Sequence, residues 1–419
     1  MKFLLRHREF ARLWLASTIS QVGTHVTLIV LPLIALTQLK ATVFQVSALG
    51  IAEYLPFILV GLQAGAILDE RERKPIMLLC DIVRAAALAC IPIAWGFGVL
   101  RLWMMYVVVF IVGIGTVFFD VAAQSMTPSI VAVEELGEAG QATAAAESVA
   151  RTAGPGIGGL ILSVLSAPVA VVIDVASYLV SFWLLLKVRP RPIERPDDGT
   201  VRPRLRTQIG EGLTFLRHHR TLRPILFALA VSNFASFVQQ AVLITFMVRT
   251  LNYSPKVIGL IFMVGNIGVM VGAAQSVKVM RVLRLGRALW IMSFISGVGC
   301  MLASLASGRL SVPILVVSWF LIMSASTVGN VGQLSYRQAA TPSHLLGRMN
   351  ASFRFFLLGM IPVGFLVGGV LGTRIGLRET MFVAGVFTMI PFVVMLYSPV
   401  ADLVSLADAA PSRGGPASE

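Results

Sequence analysis

Ionisable side chains lie inside long apolar stretches of this 419-residue chain, where an unpaired charge is costly. These residues are His25, Glu53, Asp81, Arg84, Asp120, Glu147, Arg151, Asp174 and Arg354. A carboxylic acid or an imidazole in such surroundings can bind and release a proton. Glu53 has no basic residue within four positions, so its own helix offers it no partner charge. We therefore expect Glu53, with Asp120 and His25 as further candidates, to take part in proton coupling.

The other ionisable residues fit structural roles. Glu147 and Arg151 stand at i, i+4 in the favourable order, which predicts an ion pair, either structural or part of the coupling. We expect Asp81 and Arg84 to form a structural charge cluster close to the charged hairpin that precedes them. Asp174 lies near the start of its apolar run, where we expect a capped side chain or one that snorkels to the membrane surface.

Long apolar segments must position these side chains. With 57% hydrophobic and 13% charged residues and a mean hydropathy of +0.85, the composition excludes a soluble globular protein. Twelve apolar runs each reach the roughly 20 residues that crossing a bilayer requires. They cover residues 11–37, 43–68, 75–99, 102–126, 140–165, 168–187, 222–248, 255–279, 287–307, 311–336, 348–372 and 379–398. The sequence predicts an all-α integral membrane protein with twelve transmembrane helices.

The distribution of basic residues predicts orientation and domains. Most of the 34 Lys and Arg residues fall in the N-terminus, the even-numbered loops and the tail, so both termini are expected in the cytoplasm of a multi-pass plasma (inner) membrane protein. No signal-peptide cleavage pattern precedes the first run, which we expect to be retained. The predicted division is 1–187 and 222–398 for two six-helix bundles, 188–221 for a basic cytoplasmic linker, and 399–419 for a tail. Within the linker, residues 207–219 are spaced as an amphipathic helix.

Several classes of function are excluded by what the sequence lacks. The net charge of +14 is dispersed through short loops, which argues against nucleic-acid binding. Cys80, Cys90 and Cys300 lie in apolar runs, so neither a disulfide framework nor a metal site is expected. Motifs of zinc hydrolases, serine hydrolases and P-loop ATPases do not occur. We expect no enzyme activity, no cofactor and a monomer.

A charged hairpin stands between the second and third runs. An apolar run stops at Leu68, six charged residues follow, and Pro75 opens the next run. The spacing of Gly65, Asp69, Arg73 and Lys74 resembles the signature loop of major facilitator superfamily transporters. The Glu-Arg-Lys tip resembles the exporter branch that contains the enterobactin exporter, macrolide efflux permeases and transmembrane secretion effectors. Glu72 stands where that family has a glycine, so the turn must form without a positive-φ glycine.

The fifth run contains a glycine-rich segment with Gly154, Pro155, Gly158 and Gly159. It matches the dinucleotide-binding fingerprint in form only, because it lies inside an apolar span without a strand before it. Small residues let a neighbouring backbone approach closely, and the proline removes one helical hydrogen bond. The segment resembles the fifth-helix motif of antiporters in the same superfamily, which implies export rather than import.

Polar residues recur on one face of the first, fourth, seventh and tenth runs. The stripes are Ser17, Gln21 and Thr24; Gly113, Asp120 and Gln124; Asn233, Phe237 and Gln240; and Ser326, Asn330, Gln333 and Arg337. In a bilayer such faces must meet protein or water, so we expect these helices to surround a central cavity. The alternative is ordinary hydrogen bonding between helices. Phe234 and Phe237 would hold a bulky amphipathic molecule on their aromatic faces.

Charge is distributed unevenly between the halves. No acidic residue occurs between Glu211 and Glu379, so Arg337, Arg348 and Arg354 are expected to lack a partner in their own half. The loop after the fourth run carries Glu134, Glu135 and Glu138 without a basic residue. The resemblance implies that these two regions face each other, which predicts an ion-pair gate. Alternatively, the arginines obey the positive-inside rule and the glutamates solvate a loop.

The resemblance implies a twelve-helix major facilitator fold of two pseudo-symmetric bundles. It also implies a secondary active transporter, with proton-coupled efflux of an amphipathic organic compound by alternating access. The expected substrate is a drug, a macrolide-like metabolite or a siderophore, and the expected partners are this substrate, protons and the lipid bilayer. The alternative is a flippase of the same superfamily that handles lysophospholipids or other lipids.

Overall fold

The computed structural model describes residues 2–189, 210, 214–342 and 345–405, and within them the protein is helical with no strand. The first half contains α1 (Lys2–Arg6), α2 (Arg8–Thr37), α3 (Val43–Leu59), α4 (Gly61–Glu70), α5 (Arg73–Gly96), α6 (Leu102–Met126), α7 (Leu136–Ile161) and α8 (Ala167–Leu186). The second half contains α9 (Leu222–Arg249), α10 (Pro255–Leu283), α11 (Leu285–Ser304), α12 (Ser311–Ala340), α13 (Leu346–Arg374) and α14 (Leu377–Leu396). Every predicted apolar run is therefore occupied by helix.

Length and hydropathy agree with a membrane protein. Ten of the described helical segments are long and apolar enough to cross a bilayer. Many apolar side chains remain exposed on the outer helix faces, among them Ile93, Trp103 and Trp183. A soluble protein rarely exposes so much apolar surface, whereas lipid tails cover it at no cost. These observations confirm the prediction of an all-α integral membrane protein.

The second predicted run is not one continuous helix. The chain leaves regular helix geometry at Val60, which separates α3 from α4 with φ −118° and ψ −9°. Val60 stands between Pro56 and Gly61, a nearby pair of the two residue types with the lowest helix propensity. The amide of Val60 still donates to the carbonyl of Pro56, and that of Ala64 to the carbonyl of Val60, so backbone hydrogen bonds continue across this break.

The charged hairpin turns as tightly as predicted. α4 ends at Glu70 and α5 begins at Arg73, which leaves Arg71 and Glu72 as the connection. Both residues are extended, with φ −116° and −66°, and neither needs a left-handed backbone. Lys74 Nζ donates to the carbonyl oxygens of Leu186 and Val188, each at 2.8 Å, and so ties the hairpin to the end of α8.

One compact unit contains residues Met1–Thr200 and Ala241–Met263. In this unit α2 packs against α7 and α8, and α5 packs against α6 and α8. Val26, Val30 and Ile34 recur every fourth residue along α2, and their fully buried side chains join Leu88 of α5 in one core. α8 therefore packs against both α2 and α5.

The other compact unit contains Val201–Gln240 and Val264–Glu419. Here α11 packs against α12 and α14, and α13 against α14. Leu285 and Leu289 of α11 meet Tyr336 of α12 in a separate core. The backbone amides of Leu285 and Gly286 donate to Val404 and Leu403, so the chain beyond α14 folds back on the start of α11.

The predicted bundle boundaries at 187 and 222 stay a prediction. Most of the linker lies outside the described residues, as do 207–209 and 211–213 of the proposed amphipathic helix, whereas residues 214–218 are described and are helical. Residues 406–419 of the predicted tail also lie outside the described residues.

Candidate functional site

A charged cluster is buried in the first unit, where α5, α6 and α8 meet. Arg84 Nη2 donates to Asp81 Oδ1 at 2.5 Å, with side chains only 2% and 0% exposed. The guanidinium carbon of Arg84 lies 4.3 Å from the ring centroids of both Phe119 and Tyr178. The cation is therefore held between two aromatic faces as well as by its carboxylate. The sequence predicted a structural charge cluster near the hairpin, and the structure shows in addition that both side chains of the pair are buried.

Asp174 belongs to the same region, and the expectation that it snorkels to the membrane surface is wrong. Its side chain is fully buried on α8, one and a half turns or more from either helix end. Thr27 Oγ1 donates to Oδ2 at 2.6 Å, and Ser177 Oγ donates to Oδ1 at 2.9 Å. The hydroxyl groups satisfy the carboxyl inside the protein, so it has no need to reach the surface.

The cluster of Asp81 and Arg84 was predicted from the sequence, but Asp174 was not connected to it, although a signal was present. Asp174, Ser177, Tyr178 and Ser181 follow helical spacing along the sixth run, the same pattern that marked the four predicted stripes. Thr24 Oγ1 lies 3.2 Å from the hydroxyl of Tyr178, which joins the predicted stripe of the first run to this set.

The three predicted proton-coupling residues lie on three different helices of the first unit. Glu53 is partly buried on α3, and it forms no ion pair with another described residue. Asp120 is partly buried on α6. His25 is partly buried on α2 and packs against α7 at Gly154, where an added Cβ would lie 2.5 Å from the His25 Cβ.

The glycine-rich segment of α7 packs on two sides. Gly154 meets His25, and a Cβ on Gly158 would lie 3.5 Å from the backbone of Val26, so this face contacts α2. A Cβ on Gly159 would lie 2.7 Å from the Cα of Gly259 on α10. Pro155 is buried inside α7, whose helical assignment continues through it. The segment thus holds α7 against α2 and α10 at backbone distance.

The residues of the hairpin motif differ in their surroundings. Nothing lies within 4 Å of the position that a Cβ on Gly65 would occupy. Arg73 is partly buried, and its Nε has no hydrogen-bond partner among the described residues. The side chain of Asp69 lies outside what the structure describes.

The predicted cavity residues of the first unit are Gln21, Thr24 and Gln124. Gln21 is partly buried, and its side-chain oxygen has no partner among the described groups. Thr24 donates to the carbonyl of Ser20 in addition to its contact with Tyr178. Gln124 is exposed.

In the second unit, several predicted cavity residues already have partners. Asn233 Nδ2 donates to the carbonyl of Leu357 at 3.2 Å. The rings of Phe234 and Phe387 lie 5.7 Å apart, and those of Phe237 and Phe365 5.5 Å apart. Gln333 Nε2 donates to Asn330 Oδ1, and Asn330 and Gln240 are exposed. Part of this stripe therefore links helices, as the alternative interpretation holds.

Two of the predicted gate residues, Glu135 and Arg337, contact groups within their own units. Glu135 Oε1 lies 3.2 Å from His7 Nε2 and 3.5 Å from Arg6 Nη1, while Glu134 and Glu138 are exposed. The guanidinium of Arg337 lies 4.4 Å from the centroid of Phe353. The expectation that Arg337 lacks a partner in its own half is therefore wrong, because an aromatic face serves as the partner. Arg348 is partly buried and Arg354 is exposed.

The predicted pair of Glu147 and Arg151 is confirmed. Arg151 Nη2 donates to Glu147 Oε1 at 2.8 Å, and the side chains are 48% and 50% exposed. An ion pair with that exposure contributes little to stability.

A basic cavity of about 730 Å³ lies at the start of α9. Its lining includes Arg217, Arg220 and Arg223 beside the apolar Phe227. His219 contributes no full charge, because burial lowers its pKa and its Nδ1 accepts the backbone amides of Thr221 and Leu222. None of the predicted cavity residues lines this space.

The chain resembles known transporters along most of its length. The family model described as transmembrane secretion effector matches residues 4–416. The multidrug efflux pump Tap of Mycolicibacterium fortuitum is 23% identical over 92% of this chain and 94% of its own. Macrolide efflux protein A of Enterococcus faecalis is 29% identical over 45% of this chain, a match that spans only 57% of that protein's length.

Solved structures show the same fold. A bacterial homologue of the iron transporter ferroportin, in an inward-facing state, superposes with a TM-score of 0.74 at 15% identity, covering 93% of this chain and 98% of the other. A bacterial homologue of the human lysosomal transporter Spinster gives a TM-score of 0.71 at 14% identity, covering 98% and 99%. The helices that the structure describes therefore share the fold of these transporters. The family model and the efflux-pump relative make the chain a multi-pass membrane transporter of the major facilitator superfamily and not an enzyme. The chain belongs to the transmembrane secretion effector family of the major facilitator superfamily.

Proposed function

We propose that this transporter exports an amphipathic organic compound in exchange for protons. The observation that carries the proposal is the similarity to a multidrug efflux pump along 92% of the chain. Two carboxyl groups in membrane-spanning helices, Glu53 and Asp174, form no ion pair with another described residue. A carboxyl in that setting can alternate between a neutral and an ionised form, which suits proton exchange.

The macrolide efflux relatives suggest the substrate class, a bulky molecule with apolar surface and several polar groups. Exposed amides at Gln240 and Asn330 of the second unit would hydrogen-bond its polar groups. Both termini would lie in the cytoplasm, the protein would act as a monomer in the plasma membrane, and export would proceed by alternating access.

Substituting Glu53 tests the coupling. In proteoliposomes with an imposed pH gradient, Glu53→Gln should abolish uphill transport of a radiolabelled macrolide while leaving substrate binding largely intact, because glutamine cannot carry a proton. Asp402→Asn, the same chemical change at an exposed carboxyl beyond α14, should transport like the wild type.

The same vesicles separate the outcomes. A Glu53→Gln protein that pumps as well as the wild type would remove Glu53 from the mechanism. A wild type that ignores the pH gradient would refute proton coupling. Gradient-dependent movement of a fluorescent lysophospholipid, without movement of the macrolide, would favour the lipid flippase instead.

Phe237 tests how the substrate is held. Loss of one aromatic contact is worth about 0.5–1.5 kcal/mol, so Phe237→Ala should weaken binding of an aromatic substrate about two- to tenfold while shifting preference towards smaller ones. Binding is measured by tryptophan quenching on the purified protein, with the exposed Phe382→Ala as control. Because Phe237 also packs on Phe365, a variant that loses folded yield with unchanged binding would assign the ring to packing.

A further inference from the structure

The buried cluster of the first unit contains more acid than base. Asp81 and Asp174 are both fully buried. Among the described residues of this cluster the cation is Arg84, which pairs with Asp81 and lies over the ring of Tyr178. Arg84 bonds directly to Asp81 and lies close enough to Asp174 for a Coulombic interaction. With both carboxyls ionised the cluster would carry a net charge of −1 in a dry core. Binding one proton makes it neutral, and a neutral cluster is far less costly there.

The contacts of the two carboxyl groups differ, and the difference favours Asp174 as the one that takes the proton. The contact with Arg84 keeps Asp81 ionised, since protonation would leave a buried guanidinium without its counter-charge. Asp174 has only the hydroxyl groups of Thr27 and Ser177 as donors, and no described Lys, Arg or His forms an ion pair with it. A hydroxyl group can donate to a carboxylate or accept from a carboxylic acid, so both forms of Asp174 can be satisfied.

The helices around Asp174 leave space for its carboxyl group. Gly23 of α2 faces it, and a Cβ there would collide with Asp174 Oδ1 and Ser177 Oγ. The elements packed against α8 are α2 and α5. From α2 come Thr24 and Thr27, while His25 points to α7 instead. From α5 come Asp81, Arg84 and the buried thiol of Cys80, and from α8 itself Tyr178.

Thr24 connects the polar stripe of α2 to the buried cluster. This residue is partly exposed on the stripe of α2, and its hydroxyl contacts that of the fully buried Tyr178. Tyr178 stands one turn beyond Asp174 on α8 and covers one face of Arg84. The Nε of Arg84 has no hydrogen-bond partner among the described residues, which leaves a donor unused inside the cluster.

We propose that Asp174 is a second proton-binding site of this transporter. Its carboxyl is protonated in the arrangement described here, and it is ionised when the Arg84 guanidinium reorients to contact the carboxylates of both Asp81 and Asp174. The proposal rests on the proposed proton-coupled function and adds a residue that lies on α8, apart from Glu53 on α3. One proton binds to the Asp174 carboxylate at one stage of the cycle, and the same proton leaves at another.

Infrared spectroscopy tests the protonation without transport. The purified wild type should show the C=O stretching band of a buried carboxylic acid, and labelling aspartate with ¹³C at the side-chain carboxyl should shift that band. Asp174→Asn should remove it, whereas Glu53→Gln should leave it in place. Should Asp174→Asn fail to fold, Thr27→Val takes its place, because it removes the hydroxyl group that donates to Asp174 and should shift the frequency of the aspartic acid band. A labelled band that Thr27→Val leaves unmoved, or the absence of any labelled band, overturns the proposal.

Transport tests the coupling. Asp174→Asn should lose uphill transport driven by a pH gradient but keep exchange of substrate down its own gradient, since asparagine mimics the protonated acid. Loss of the band with normal uphill transport would show a structural proton and refute the coupling. A wild type that ignores the gradient yet shows the aspartic acid band would refute the proposed function while leaving the protonated Asp174 in place.

Discussion

Arg84→Met should destabilise the protein by about 3–5 kcal/mol, the usual effect of removing one partner of a buried ion pair. The expected cost is large because Asp81 is fully buried and would lose its only ion-pair contact among the described residues. Arg84 also fills the space between Phe119 and Tyr178, and methionine can occupy only part of it. Thermal unfolding in detergent, followed by tryptophan fluorescence, measures the change.

Two comparisons make this result specific. Arg151→Met removes the same side chain from an ion pair that is about half exposed, so it should cost only about 0–1 kcal/mol. The double variant Asp81→Asn, Arg84→Met removes both charges and should recover much of the lost stability. If Arg84→Met and Arg151→Met were equally mild, the charge of Arg84 would have no role in holding α5 against α8.

Gly259→Ala and Gly159→Ala should each push α7 and α10 apart at their crossing. A Cβ on Gly259 would lie 2.6 Å from the Cα of Gly159 and 2.7 Å from the carbonyl oxygen of Pro155. Both contacts are with backbone atoms, which cannot move aside as a flexible side chain can. We expect a loss of about 1–3 kcal/mol in stability for either variant, together with slower transport, because the glycine-rich segment also holds α2.

Gly140→Ala is the matched control on the same helix. Nothing lies within 4 Å of the position its Cβ would take, so the added methyl group should stabilise α7 by about 0.5–1 kcal/mol. Unfolding temperature and vesicle transport are measured for all three variants. An effect of Gly259→Ala no greater than that of Gly140→Ala would mean that the two helices do not meet at this distance.

The sequence by itself determined the elements that lie along one stretch of chain. Apolar runs of about 20 residues can be satisfied in a bilayer only as helices, so the spans could be predicted without knowledge of their neighbours. The charged hairpin at Arg71 and Glu72 and the pair of Glu147 with Arg151 were also predictable, since each depends on residues within a few positions. The break at Val60 had its local signal in Pro56 and Gly61, but its exact place did not follow from them.

Only the tertiary structure decided which polar residues meet inside the protein. Thr27 and Asp174 stand 147 positions apart in the chain, and no periodicity in either helix shows that they are hydrogen-bonded. The sequence therefore predicted a surface position for Asp174. It also predicted Arg337 as a cation without a partner in its own half, whereas in the structure its guanidinium lies over the ring of Phe353 on the next helix. Gly159 and Gly259 are likewise brought together by a crossing of α7 and α10. The physical reason is that hydropathy and helical period fix which face of a helix is buried, whereas the neighbour on that face depends on how all the helices pack.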